Sequence, residues 1–203
     1  MIKLYTNPSS PFGRKAMIAA IETGLDSKLQ IINVNPWEST PELVRVNPLS
    51  KIPVLVTDEG DAIFDSSAVC DYMDALDGHH RLLPAEPAAR LRALRRQSLA
   101  DGMLDAAIVV LLNRAQKPER VHRGYVARQE EAIERTLDCL ERDAGELHDG
   151  FNLGHIALVC ALDFLSVDQI VDWRPKRDAL AAWLANMHKR PSVMRTRPPP
   201  RTA

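Results

Sequence analysis

Cysteine is scarce in this chain: Cys70, Cys139 and Cys160 are the only three in 203 residues. They lie far apart, form no Cys-x-x-Cys pair and join no Cys/His cluster with metal-ligand spacing. That excludes a disulfide-stapled scaffold and a structural zinc site, and it fits a reducing compartment. Neither sign of charge dominates. The formal net charge is −1, which gives no electrostatic ground for a nucleic-acid partner. Long hydrophobic runs are missing too. The longest, such as Ala106 to Leu112, fall well short of the ~20 residues that cross a bilayer, so no membrane partner is expected. Met1-Ile2-Lys3-Leu4 enters a strand pattern directly, with no secretory h-region. A cytoplasmic protein is the expectation.

What is present suits a soluble globular chain. Hydrophobic residues make up 45% and charged residues 26%, enough to bury a core without disorder. Charge is divided unevenly along the length. Residues 1–80 carry 6 basic and 11 acidic side chains, whereas residues 81–203 carry 20 and 16. An acidic front and a basic back predict two units, 1–80 and 81–203.

The front unit reads as α/β. Ile2 and Leu4 alternate with polar neighbours in a short strand pattern. Ser10 followed by Pro11 has the chemistry of a helix N-cap and first position, and Gly24 closes the helix. Leu29 to Val34 reads as a buried strand, broken by Asn35-Pro36-Trp37. Thr40-Pro41-Glu42 starts a short helix. Val54–Val56 and Ala62–Phe64 predict a hairpin, and Ser66 to Leu76 a helix with Val69, Tyr72, Met73 and Leu76 on one face. The order is βαβ-α-ββα, a small mixed sheet with helices on it. A linker spans Gly78 to Pro87. Helical periodicity then takes over: Leu91, Leu94, Leu99, Met103 and Leu104 in one helix, Ile133, Leu137, Leu140 and Leu147 along another stretch. Ile156 to Leu165 is apolar nearly all round and predicts a buried central helix, Ala179 to Met187 a last one. Pro191 ends that region, and Pro198-Pro199-Pro200 reads as a frayed tail. The fold class is therefore α/β followed by an all-helical bundle.

Two phrases carry chemistry. Lys51-Ile52-Pro53-Val54 puts a proline at the entrance to an apolar strand, where a missing N–H is tolerated. Asp65-Ser66-Ser67 has the chemistry of a helix start, which offers free backbone N–H groups. A proline-opened strand beside a free helix N-terminus is suited to hold a small peptide with a carboxylate.

The order of a strand, a Ser-Ser-Pro-Phe loop, Lys-Ile-Pro-Val, an Asp-Ser helix start and an all-helical second half resembles a bacterial glutathione transferase. Ala100 to Ala106 and Cys160 to Phe164 are similar to stretches of that family's helical domain. The resemblance implies a thioredoxin-like first domain with Pro53 cis. It implies glutathione as co-substrate, bound by Lys51, Ile52, Pro53, Asp65 and Ser66. Ile52 would pair its backbone with the cysteinyl part, Lys51 would neutralise the glycyl carboxylate, and Ser66 and Asp65 would hold the γ-glutamyl carboxylate and ammonium. Ser10, with Ser9 as the alternative, would hold the sulfur as a thiolate over the first helix turn. A serine there does not form mixed disulfides, which disfavours a disulfide reductase. An apolar electrophile would sit near Phe12, Met103 and Leu104. A homodimer and a role in detoxification follow from the same resemblance, and no metal is implied. A glutathione-dependent isomerase or dehalogenase, or a non-catalytic glutathione-binding scaffold, would share these features.

Each of these residues also has a plainer reading. Serines cap helices, lysines are often solvated, and Asp65 and Ser66 are good capping residues on their own. Arg14 reads as structural, Trp37 as a packed loop aromatic, and Arg90, Arg92, Arg95 and Arg96 as a solvated helix face. His155 stands where the buried helix of the family often carries Asp as the reciprocal cap, and it is expected to be a weaker return partner for Asn152.

Overall fold

The computed structural model describes residues 1–199, so Pro200 of the expected tail lies outside the described residues. Strand β1 (Ile2–Thr6) pairs in parallel with β2 (Leu29–Asn33) and antiparallel with β3 (Val54–Val56), which pairs antiparallel with β4 (Ala62–Ile63). The sheet order is β2-β1-β3-β4. Helix α1 (Pro11–Glu22) makes the crossover from β1 to β2, α2 (Pro41–Val46) precedes β3, and α3 (Ser66–Asp77) follows β4. The mixed sheet matches the sequence expectation. One strand does not: β2 is an edge rather than a buried strand, with Gln30, Ile31 and Asn33 exposed. A β-branched run is as compatible with an edge as with a centre, because pattern alone does not fix strand order.

The helical part contains α4 (Pro87–Arg114), α5 (Arg123–Arg142), α6 (Leu153–Val167), α7 (Asp178–Met187) and α8 (Pro191–Arg195). Every residue of α6 from Leu153 to Leu165 is buried, as its all-round apolarity predicts. In α4 the register differs from the leucine count. Leu91 is 68% exposed, whereas Ala93, Arg96, Gln97, Ala100, Met103 and Leu104 are buried. Leu76, expected on the buried face of α3, is exposed as well. Pro191 does not end the helical region but opens α8, where its missing N–H falls at a position with no helical acceptor.

The described residues fall into two compact units, Met1–Leu91 with Ser192–Pro199, and Arg92–Pro191. The division falls within α4, and Ser192–Pro199 belongs to the first unit. Three bonds fasten it there: Ser192 Oγ donates to Glu22, Arg195 to Asp26 at 2.7 Å, and Arg14 to the Val193 carbonyl at 3.4 Å. The stretch after α3 is pinned too. Asp74, 1% exposed, accepts the backbone N–H groups of Leu82 and Leu83 at 2.8 and 2.9 Å, and both leucines are buried.

In the second unit, Arg96 is 6% exposed, not solvated. It donates to Asp149 at 3.2 Å and to the Glu146 carbonyl at 3.0 Å. Beside it, His155 completes a capping box. Asn152 Oδ1 accepts from Gly154 N–H, and His155 Nδ1 accepts from Asn152 N–H at 3.1 Å. The imidazole therefore serves as the return partner. The other ring nitrogen, Nε2, lies 3.1 Å from Arg96 Nη1 and 3.3 Å from Asp149 Oδ1. Burial first, and the Arg96 charge second, lower the His155 pKa from 6.5 to about 4.

Two outcomes follow. Asp74→Ala leaves two buried N–H groups unpaired and should cost about 3 kcal/mol in urea unfolding, with the sheet intact by circular dichroism. For His155 the depressed value means that below its ordinary pKa the unfolded chain takes up a proton that the folded chain refuses. The stabilisation is complete above pH ~6.5 and is lost as pH falls toward ~4, by about 3 kcal/mol in all. His155→Gln should flatten that slope in a pH series of unfolding curves.

Candidate functional site

The site begins where β1 ends. Asn7-Pro8-Ser9-Ser10 is a turn closed by Ser10 N–H donating to the Asn7 carbonyl at 3.0 Å. Asparagine first and proline second suit such a turn, one by side-chain bonding and the other by its fixed φ. Ser10 then caps α1 from an extended backbone, its Oγ accepting from Gly13 N–H at 3.0 Å. A serine oxygen used as an acceptor still has its own proton to give, and that proton is available to an outside group. Ser9 is exposed and does not cap the helix. Gly13 allows the helix to start this close to the strand. A Cβ there would stand 2.2 Å from Thr6 Oγ1.

Antiparallel pairing of Tyr5 with Val54 brings the end of β1 beside the start of β3. The Ser10 loop thereby lies next to Ile52-Pro53, a cis peptide bond as the resemblance implies. Asn47 holds this corner, donating to the Lys51 carbonyl at 2.9 Å and accepting from Leu49 N–H at 3.0 Å. Ile52 is buried, and its backbone N–H and C=O make no bond to other described residues. A main-chain donor and acceptor left over at the entrance to a strand mark where an added strand would fit. Lys51 is exposed beside it.

The third piece is the start of α3. Asp65 is its N-cap, accepting from Ser67 N–H at 2.9 Å, and follows a cis Phe64-Asp65 bond. Ser66, 3% exposed, is the first helical residue and is not used for the cap. The starts of α1 and α3 are linked by Lys15, whose Nζ donates to Ser67 Oγ at 3.3 Å and lies 6.0 Å from the centre of the Phe12 ring. Lys15 is 0% exposed. Sequence reasoning missed it. The signal was there, because Arg14 and Lys15 occupy inward positions of α1 where the period asks for apolar groups. Two helix starts and a buried ammonium make this end of the unit suited to anions.

Other expected site residues lie differently. Phe12 is half-buried next to the Ser10 cap, while Met103 and Leu104 are buried core residues. Trp37 is not packed. It stands 72% exposed on a single 3-10 turn, Pro36–Glu38. None of Cys70, Cys139 and Cys160 is in a disulfide. Among the described residues no group of three or more His, Cys, Asp or Glu side chains could hold a metal ion, and no helix is long and apolar enough to cross a membrane.

Comparison with known proteins shows the family. Family models of the glutathione S-transferase N-terminal and C-terminal domains match residues 9–76 and 123–186. An uncharacterized GST-like protein, YibF of Escherichia coli (strain K12), is 35% identical over 205 residues, covering 98% of this chain and 99% of its own. The chain belongs to the glutathione S-transferase family. A glutathione transferase family member from Pseudomonas fluorescens Pf-5, solved with bound glutathione, is 34% identical with a TM-score of 0.93, covering 98% of this chain and all of that one (100%). The same Pseudomonas fluorescens Pf-5 target with bound S-(propanoic acid)-glutathione gives a TM-score of 0.88 at 34% identity and the same coverage. This transferase thus has the thioredoxin-like sheet unit and the helical unit of its family.

The close approach at Gly13 is testable. Gly13→Ala should destabilise the transferase by about 2 kcal/mol through overpacking on Thr6. Adding Thr6→Ala should restore most of the loss in thermal unfolding, since it removes the atom the new methyl would strike.

Proposed function

We propose that this glutathione transferase holds glutathione along the corner formed by the Ser10 loop, Ile52-Pro53 and the start of α3. The backbone of Ile52 pairs with the cysteinyl residue as an added strand. Lys51 neutralises the glycyl carboxylate. Ser66 donates its hydroxyl and N–H to the γ-glutamyl carboxylate, and Asp65 meets the γ-glutamyl ammonium with the carboxylate oxygen that the cap leaves over. The sulfur lies over the first turn of α1, where Ser10 donates its hydroxyl proton. The observation that carries this reading is the unused bonding capacity of that corner: the Ile52 backbone pair and the Ser10 proton. The glutathione bound to the Pseudomonas fluorescens relative supports it.

The energetics are adequate. A free thiol of pKa about 8.5 is only slightly ionised at neutral pH. Lowering that value by about two units takes roughly 2.7 kcal/mol. One hydrogen bond to a charged group supplies about 1.5–3 kcal/mol, and the helix start adds to it. The thiolate then attacks an electrophilic carbon of a small apolar substrate that approaches past Phe12. The sulfur forms the new bond and the leaving group departs with the electron pair. No metal takes part. A cytoplasmic homodimer acting in detoxification is the setting we assign to this reaction.

Titration of glutathione thiolate absorbance on the protein tests the assignment. Ser10→Ala should raise the apparent pKa of the bound thiol by about one to two units and cut kcat about a hundredfold, with the affinity for glutathione changed less than threefold. Ser9→Ala should behave like the wild type. A reversal of the two would move the role to Ser9, and no shift in either would leave a binding protein without thiol activation.

A further inference from the structure

Asn7 makes more bonds at this corner than its place in a loop requires. Its carbonyl accepts from Ser10 N–H at 3.0 Å, and its Oδ1 accepts from Ser9 N–H at 2.9 Å. Its Nδ2 donates to the Val34 carbonyl at 3.1 Å and reaches Asn33 Oδ1 at 3.4 Å. Val34 in turn donates to the Thr6 carbonyl at 3.0 Å, extending the parallel β1–β2 pairing by one step. One side chain therefore spans two structures. One oxygen grips the serine turn, and the nitrogen anchors that grip to the end of the sheet.

We propose that Asn7 is the positioning residue for Ser10, fixing the hydroxyl over the first turn of α1 by tying the Ser9–Ser10 turn to the carboxyl end of β2. The inference rests on the reading of Ser10 as the group that holds the sulfur. Its physical basis is the steep dependence of a hydrogen bond on geometry. Ser10 Oγ is set by two constraints: the cap bond to Gly13, which fixes the oxygen from the helix side, and the Asn7 side chain, which ties the Ser9 backbone to the end of the sheet from the strand side. Removing the second leaves the serine free to rotate about the first. The cap would survive, but the direction of the donated proton would not. A displacement of an ångström at a reacting group costs far more in rate than in stability.

Asn7→Ala removes all three side-chain contacts, while Asn7→Ser keeps a short acceptor for Ser9 N–H and gives up the sheet anchor. Each is compared with the wild type and with Ser10→Ala by thiolate titration, glutathione affinity and kcat. Asn7→Ala should raise the pKa of the bound thiol and lower kcat about tenfold, with glutathione affinity within about twofold. Asn7→Ser should recover part of both losses. A purely structural asparagine would lower the melting temperature and leave the thiol pKa of the folded fraction at the wild-type value, and that result overturns the proposal. Should Asn7→Ala fail to fold, Asn7→Ser decides: an unshifted thiol pKa and unchanged kcat refute the positioning role. If Ser10→Ala itself leaves the thiol pKa unmoved, the reading of Ser10 fails, which is a separate result.

Discussion

The corner depends on how α1 begins. The helix starts against the end of β1 with only a glycine's thickness between them, and Ser10 caps it there. That closeness places the positive end of the helix at the rim of the sheet, where the Ile52-Pro53 bend also arrives through the Tyr5–Val54 pairing. Had the helix begun a turn later, the serine, the bend and the start of α3 would not share one face. The anion-attracting character of the place follows from this arrangement of backbone before any side chain is added.

Much of this was legible in the residues because it rests on local chemistry. Ser10-Pro11, Asp65-Ser66 and Pro53 before Val54 are short-range signals, and the elements begin where those signals put them. The buried helix α6 was legible for a different reason, since apolarity on all sides admits no other placement. What remained hidden depended on tertiary contacts. Arg96 looks like one of four exposed arginines until Asp149 and the Glu146 carbonyl are brought to it. Lys15 shares its helix face with Ile18 and Ala19, so its inward place was legible, but its partner Ser67, 52 residues on, was not. Trp37 gives the opposite error: an aromatic read as packed in its loop stands in solvent.

His155 illustrates how chemistry can keep a geometry while changing its response. A carboxylate at the third position of a helix makes the return bond of a capping box as an anion. An imidazole makes the same bond through a neutral nitrogen lone pair, and it needs the burial and the neighbouring guanidinium to stay neutral. The local structure is equivalent and both partners lose the bond by taking up a proton, but the window differs: the imidazole cap is drawn on from about pH 6.5 downward, whereas a carboxylate cap holds until about pH 4.

The return of α8 to the sheet unit bears on how the protein is made. Ser192, Val193 and Arg195 bond to Glu22, Arg14 and Asp26, partners laid down about 170 residues earlier. A chain growing from the ribosome therefore presents its first sheet and α1 long before the segment that covers that helix has been translated. The unit that carries the serine is finished only after the whole helical stretch between them has been made. The helical stretch between them then matures as an insertion within an unfinished neighbour.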